Sequence, residues 1–439
     1  MNKKLKKVLI ISYHWPPSGN IAVLRCLKWT KYLREFGWEP IIYTAADAHY
    51  PNLDNSNHED IPKGVQVIRR KIIEPYAFYK VLNNLPKNAN VNNVFYVRPG
   101  KVGCMHHFSV WVRSNFFIPD ARSWWIKPSV HFLLKYLDKN PVDAIISDGP
   151  PHTNTRIATE LKKKLNIPWL ADFQDPWTQA DYFQKLSLTK WADQKHHRLE
   201  KEVFGLADKI TIVSRHWKQK LEEIGAKNVS VIPWGYDPQD FEKSKHTQLP
   251  GFTITHLGTL GYDRNPQTFF RVLRKMGDQL KDFQAALKIN LIGQIDVSVQ
   301  KVIAEEGLLD ATTIQDSVPR DQALEIMAQS PILLLLLNKQ DNILGRVPGK
   351  LFEYLAVQRP ILILGPPDSD AAEIIEKTGS GMIAAYDDTE RIQKILIKFF
   401  EDFQSGVLKG NLNNHIEDFS VRNLTQQLAT YLNDITNGS

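Results

Sequence analysis

Short apolar runs alternate along the whole chain with longer stretches in which apolar residues return every three or four positions. The runs KVLIIS, PIIYTA, VQVIRR, AIISD, PWLADF, KITIVS and VSVIPW predict seven strands in the first half. FTITHLG, KINLIG, TTIQDSV, ILLLLLN, PILILG and GMIAAY predict six more in the second. Continuous apolar strands separated by helices predict parallel sheets covered on both faces. The first helix shows the pattern: Ala22, Cys26, Trp29, Leu33 and Phe36 step by four, three, four and three, which makes one buried stripe. Gly37 ends that helix and PIIYT begins the next strand, a strand–helix–strand unit of the doubly wound kind.

The rhythm breaks between Pro233 and Gly251, a segment rich in proline and charge without periodicity, which reads as a linker. The expected organisation is an α/β domain over residues 1–235, a linker over 236–250, a second α/β domain over 251–415 and a helical tail over 416–439 that packs back on the first domain. Two such domains facing each other would place a ligand in the cleft between them, at the carboxyl ends of both sheets.

Composition narrows the chemistry. A chain of 439 residues, 43% hydrophobic and 23% charged, is an ordinary globular protein with room for two or three cores. Two cysteines, Cys26 and Cys104, give neither a disulfide framework nor a zinc pattern. The net charge of +7 suits an anionic membrane or a phosphorylated small molecule. The lysines are scattered and no aromatic-interleaved basic stripe is present, so nucleic acid is not an expected partner. In MNKKLKKVLIISYHWPP the apolar run Val8–Ile11 is too short for a signal peptide, and Ile332–Leu337 is far too short for a membrane span. The expected location is cytoplasmic, with peripheral contact at the inner face of the plasma membrane as a further option.

Several loops carry candidate chemistry. In GRVPGKLFEYL, Gly345 and Gly349 are one residue too close for a P-loop, and Leu351 replaces its metal-binding hydroxyl. The logic of an anion site survives: Pro348 suits a helix start, Gly349 admits close approach, and the free amides and dipole favour phosphate. Lys350 can add charge, and Glu353 can accept from sugar hydroxyls; the plain alternative is a helix start with two solvated side chains. HWPPSGNIAVLR places Gly19 in a turn before a helix, either an anion site or an ordinary βα turn. SDGPPHTNTR places His152 between a strand end and a helix, as an active-site or a merely capping histidine. In HLGTLGYDRNP, Gly258 and Gly261 loosen a loop from which Arg264 could reach a diphosphate; a surface arginine is the alternative. Asp368-Ser369-Asp370 could suggest a metal site, but Asp370 with Glu373 reads as a capping box, so no metal is expected. The aromatic and basic stretch Phe116–Leu137 is expected to supply helix core and inter-strand packing, the alternative being contact with a membrane or a lipid-linked acceptor.

Taken together, these segments resemble the retaining glycosyltransferases of family 4, whose GT-B architecture is two facing Rossmann-like domains. HWPPSGNIAVLRCLKWTKYLREFGWEPIIYTA is similar to the family's opening strand, loop and helix, and HLGTLGYDRNP and VPGKLFEYLAVQRPIL to its donor-binding segments. IPDARSWW, SDGPPHTNT and PWLADFQDPW resemble a subgroup from bacterial surface-polysaccharide pathways, and SRHWKQKLEEIGAKNVSVIPWGYD resembles the segment leading to the interdomain link. The chain departs from the pattern at three places: Gly345 stands where the family often has a first glutamate, Trp234 for a usual asparagine, and Gln174 for an arginine common in the subgroup.

The resemblance implies transfer of a sugar from a nucleoside diphosphate donor to a carbohydrate or lipid-linked acceptor, with retention and without cofactor or metal. It implies that Arg264 and Lys350 neutralise the diphosphate, that Glu353 holds the ribose, and that His152 contacts the donor sugar near the reacting centre. Gly258, Gly349 and Leu351 complete the donor-binding set, and Gly19 lets the first loop close over phosphate or sugar. No nucleophile is evident, which favours same-face attack through an oxocarbenium-like state. The alternatives are a GT-B sugar-nucleotide epimerase and a catalytically lapsed sugar-nucleotide-binding protein.

Overall fold

The structure is a computed structural model that describes residues 4–74, 104–183, 185–241, 248–339, 342–410 and 414–438. All thirteen predicted strands are present. The first seven are β1 (Lys6–Ile11), β2 (Trp38–Ala45), β3 (Gln66–Arg70), β4 (Ala144–Gly149), β5 (Trp169–Phe173), β6 (Lys209–Ile212) and β7 (Val229–Val231). The other six are β8 (Phe252–Leu257), β9 (Leu287–Ile292), β10 (Thr312–Gln315), β11 (Ile332–Leu336), β12 (Ile361–Leu364) and β13 (Gly381–Ala384). They form two parallel sheets, one in the order β3-β2-β1-β4-β5-β6-β7 and one in the order β10-β9-β8-β11-β12-β13. Each order runs outward from its first strand and then reverses, which is the doubly wound topology.

The helices that flank the first sheet are α1 (Ala22–Tyr32), α2 (Cys104–Phe116), α3 (Ile126–Lys139), α4 (His152–Leu165), α5 (Lys190–Leu206) and α6 (Arg215–Glu223). Those of the second are α7 (Gln267–Gln279), α8 (Lys281–Ala286), α9 (Val297–Glu305), α10 (Arg320–Gln329), α11 (Gly349–Ala356), α12 (Asp370–Thr378) and α13 (Thr389–Gln404). A final helix, α14 (Val421–Asn437), completes the chain.

Two compact units result, Met1–Pro233 with Arg422–Ser439, and Trp234–Val421. Leu424, Leu428, Ala429 and Leu432 of α14 share one core with Val8, Trp29, Trp38 and Leu170. Lys6 fastens the end of this helix through Thr436 Oγ1 at 3.0 Å. The stretch read as a linker is partly built into the second unit: Trp234, Tyr236 and Phe241 pack on its core, and Pro238–Phe241 form a 3-10 turn. Residues 242–247 of that stretch lie outside the described residues.

Of the stripe on α1, Cys26, Trp29 and Leu33 are buried and Ala22 and Phe36 only half-buried; Val23, Arg25, Lys28 and Thr30 are buried too, so the helix is enclosed on more than one side, and its last turn tightens to a 3-10 helix over Leu33–Phe36. Gly37 closes it in the left-handed conformation at φ 86°. The capping box read at Asp370 is not formed. Ser369 is the cap, its hydroxyl accepting from the Ala372 amide at 3.3 Å, and Asp370 is already the first helical residue. The hydroxyl sits one residue earlier in the chain, where the extended backbone lets it reach the third helical amide. Phe116–Leu137 divides between two fates. Trp125, Val130, Leu133 and Leu137 are buried as core, whereas Phe116 and Trp124 stand in solvent. Among the described residues no helix is long and apolar enough to cross a membrane.

Candidate functional site

In a doubly wound sheet the loops at the point where strand order reverses diverge to opposite faces and leave a crevice. In the second unit that point lies between β8 and β11. The loop after β8 carries Gly258 and Arg264, and the connection after β11 leads into α11 with Gly349, Lys350, Leu351 and Glu353. The two stretches singled out separately in the sequence are therefore neighbours in space.

They are locked together at the end of β8. The Leu257 amide donates to the Tyr354 hydroxyl at 3.3 Å, and the Leu257 carbonyl accepts from Lys350 Nζ at 2.7 Å. Gly258 then turns with φ 128°, a backbone region that side chains rarely adopt, and a Cβ there would overlap Lys350 Nζ. Gly293 at the end of β9 has φ 130°, and its own missing side chain leaves room for the Gly258 carbonyl. Gly258 is thus required by the seat of the lysine as well as by the turn.

Lys350 is half-buried, and the Leu257 carbonyl is its single hydrogen-bond acceptor among the described residues, where it forms no ion pair. Burial pulls its ammonium below the usual lysine range; Glu353 opposes this and the Arg264 charge adds to it. Arg264 is partly exposed, and its guanidinium meets Asp263 at 3.2 Å. The amides of Gly349 and Lys350, at the start of α11, meet no acceptor among the described residues. Two neighbouring cations and two helix-start amides without an acceptor among the described residues are features that suit an anion.

Leu351 contributes differently from expectation. Its side chain is fully enclosed in the core and its amide donates to the Pro348 carbonyl at 3.0 Å, so it anchors the helix. Glu353 is largely buried and is held by Arg320 at 3.5 Å, while Arg320 also meets Asp240 at 2.9 Å. Burial raises the Glu353 carboxyl above its ordinary range against the pull of Arg320 and Lys350. Neither Arg320, at the start of α10, nor Asp240, in the segment read as linker, stood out in the sequence; the signal for both is the need of a buried carboxylate for a partner. His256 was also missed. It lies inside β8, its Nδ1 meets the Leu334 carbonyl at 3.0 Å, and its Nε2 is buried without a partner among the described residues. Burial, with Lys350 and Arg264 close by, lowers its pKa to about 4, so the ring is neutral and offers a lone pair.

The first unit gathers its loops at the equivalent reversal, between β1 and β4. His152 opens α4 after two consecutive cis prolines, Pro150 and Pro151. Its ring is buried, both nitrogens lack hydrogen-bond partners among the described residues, and it lies flat on Trp177 with centroids 4.4 Å apart and planes 6° apart. Trp177 Nε1 in turn donates to His196 Nδ1 at 3.0 Å. Burial, then the proximity of His196, lowers the His152 pKa to about 3, so the imidazole is uncharged at neutral pH. The start of α4 is not open to a phosphate. Asp120 accepts from the Thr153 amide and hydroxyl, both at 2.8 Å, and already supplies the negative charge favoured there. What remains is a neutral imidazole suited to a hydroxyl group.

Gly19 is also a packing residue. Its amide donates to the Asn52 carbonyl at 2.9 Å, the Asp54 amide donates to Pro17, and a Cβ would press within 3.3 Å of Asn52. The loop is pinned to the following segment rather than left to close.

Beneath these loops, Arg25 clasps Asp172 through two bonds of 2.6 and 2.7 Å and donates to the Ile232 carbonyl at 2.9 Å. Gln174, which stands for the subgroup's arginine, donates to the buried Asp148 carboxylate, as does Ser12 at 2.8 Å. Burial first, and Asp172 second, push the Asp148 pKa up to about 7. A carboxyl raised in the folded state favours folding most below its unfolded pKa, and that contribution is lost as pH rises through about 7. Asp148→Asn is therefore expected to raise Tm by about 2–4 °C at pH 8 and by less at pH 5, as measured by differential scanning calorimetry.

Comparison with known proteins agrees with this architecture. The model of the family described as Glycosyltransferase Family 4 matches residues 93–240, about a third of the chain. No curated protein matches by sequence. Among solved structures, sucrose-phosphate synthase from Thermosynechococcus elongatus is similar at TM-score 0.60 and 12% identity, over 99% of this chain and 100% of that one. Anabaena Alr3699/HepE, in complex with UDP and glucose, is similar at TM-score 0.59 and 14% identity, over 97% and 99%. A Listeria monocytogenes protein described as a UDP-N-acetylglucosamine 2-epimerase is similar at TM-score 0.57 and 10% identity, over 99% and 98%. The two Rossmann-like units have the GT-B fold of glycosyltransferases, and the likeness to family 4 in sequence lies in residues 93–240.

Proposed function

We propose that the protein transfers a glycosyl group from a nucleoside diphosphate sugar to an acceptor hydroxyl, with retention of configuration, in the assembly of a bacterial cell-surface polysaccharide. One observation carries this reading: among the described residues Lys350 donates only to the Leu257 carbonyl, beside Arg264 and the start of α11, whose Gly349 and Lys350 amides meet no acceptor there. Glycosyl transfer builds negative charge on the leaving diphosphate, and fixed cations and amide dipoles stabilise that charge. Lys350 and Arg264 supply positive charge that offsets the charge building on the leaving group, a role that other enzymes give to a metal. Alr3699/HepE, a protein of this fold, has been observed with UDP-glucose, which supports a sugar nucleotide as donor.

Glu353, already gripped by Arg320, holds the ribose hydroxyls. His152, neutral and unpartnered, hydrogen-bonds a sugar hydroxyl without adding charge to an oxocarbenium-like centre. Because no hydrogen bond within the described residues orients its ring, the stack on Trp177 does so. Loss of a stacked pair is worth up to about 1.5 kcal/mol, roughly tenfold in rate. Trp177→Leu is thus expected to lower kcat about tenfold with little change in KM for the donor, and Trp177→Phe to restore most of it.

The test is to incubate the protein with sugar nucleotides and a panel of carbohydrate and lipid-linked acceptors, following nucleoside diphosphate release and the product anomer by NMR. Release that depends on an acceptor, with the donor's anomeric configuration kept, is the expected result. Conversion of the sugar nucleotide without an acceptor would mean an epimerase, a reading that the Listeria likeness supports. Donor binding with no conversion would mean a lapsed enzyme.

A further inference from the structure

Strands β8 and β11 begin as neighbours and then part. Ile254 and Thr255 of β8 stand opposite Ile332 and Leu333 of β11, and the pairing ends there. Each strand goes on with its other partner: β8 stays beside β9 as far as Leu257, and β11 stays beside β12 as far as Leu336. The parting is therefore local to the one seam from which the Lys350 crevice opens. In the parallel register the next bond of this seam would run from the Leu257 amide to the Leu334 carbonyl. Side chains have taken both groups. The Leu334 carbonyl meets His256 Nδ1 at 3.0 Å, and the Leu257 amide donates to the Tyr354 hydroxyl at 3.3 Å. The Leu257 carbonyl accepts from Lys350 Nζ at 2.7 Å.

Lys350 and Tyr354 lie one turn apart on α11, so they grip Leu257 only where β8 has let go of β11. His256 takes over on the β11 side. It is buried in β8 immediately before Leu257. A carbonyl only accepts, so Nδ1 carries the ring proton and Nε2 the lone pair. A buried carbonyl left without a donor is costly. With no donor at position 256, the Leu334 carbonyl regains one most directly from the Leu257 amide, and that bond would close the seam against the seat of Lys350.

We propose that His256 is a positioning residue: by occupying the Leu334 carbonyl it keeps β8 and β11 apart at the crevice and leaves the Leu257 carbonyl to seat Lys350. The proposal rests on the reading of Lys350 as a diphosphate site and adds to it a residue that acts through another.

The test separates the two ring nitrogens. Asparagine sets an amide N–H close to the position of Nδ1, whereas glutamine sets its amide near that of Nε2. The parent, His256→Asn and His256→Gln are titrated calorimetrically with UDP, GDP, ADP, CDP and dTDP, alongside their unfolding temperatures. The asparagine variant is expected to bind within about threefold of the parent, and the glutamine variant to bind about tenfold more weakly. Equal affinity in the two variants, or tighter binding by the glutamine variant, overturns the proposal. A second measurement does not depend on binding: a two-bond proton–nitrogen correlation spectrum of the histidine-labelled parent at neutral pH, with the His256 signals identified by their loss in either variant. A neutral ring protonated on Nδ1 is expected. Should the parent bind none of the five nucleotides, the reading of Lys350 falls, while a ring protonated on Nδ1 still supports the parting of the strands by His256. A ring protonated on Nε2 overturns the proposal in either case.

Discussion

Replacing Lys350 by alanine is expected to lower kcat/KM for glycosyl transfer by at least ~100-fold, the scale on which a single fixed electrostatic donor acts. The ammonium is held at the carboxyl end of β8 by one carbonyl, its single acceptor among the described residues. Burial costs its charge desolvation and lowers its pKa, and Arg264 adds repulsion. A diphosphate relieves both, and relieves them most when the sugar bond has broken and the full charge has collected on the leaving oxygens. The effect should therefore fall on kcat as well as on donor affinity. Lys350→Met, which keeps the stem and removes the charge, should lose nearly as much. A loss confined to KM, or no loss in either variant, would remove the lysine from the reaction.

Gly258→Ala is expected to cost nearly as much as Lys350→Ala, although it deletes nothing. The methyl group would occupy the position of Lys350 Nζ, and the backbone at φ 128° resists any side chain. The lysine must leave its seat on the Leu257 carbonyl, and the free amides of α11 lose the cation beside them. Because both substitutions act through one ammonium, the double variant Gly258→Ala/Lys350→Ala should be little worse than either alone. Calorimetric titration of the three variants with nucleoside diphosphate, alongside their unfolding temperatures, checks this. Additive losses would mean that the glycine serves the fold alone.

The fold was legible because burial on both faces leaves a strand no choice of residue. A run such as ILLLLL has no polar side to confuse with a helix, and all thirteen strands were found where they were read. That the two donor-binding stretches are neighbours was legible for a related reason: both follow strands at the point where the sheet order reverses. Long-range partners were not legible. Nothing in SVPRDQA tells that Arg320 will meet Glu353 and Asp240, since the pairing spans different loops. Trp177 beneath His152 and Asp120 at the start of α4 were hidden in the same way, each within a quoted stretch but with its partner elsewhere. Gly19 and Leu351 misled because local chemistry shows what a residue can offer, whereas the folded chain had already used it: the Gly19 amide on Asn52, the Leu351 side chain in the core. Exposure was the least legible property. Phe116 and Trp124 carry the same hydrophobicity as Trp125 and Leu133, and only packing separates the two sets.

The most direct measurement of the central claim is calorimetric titration of the protein, and of Lys350→Ala, with UDP, GDP, ADP, CDP and dTDP, each with and without EDTA. The account predicts binding of one nucleoside diphosphate that EDTA leaves unchanged and the substitution abolishes. Binding that requires a divalent cation, or that Lys350→Ala leaves intact, would contradict it.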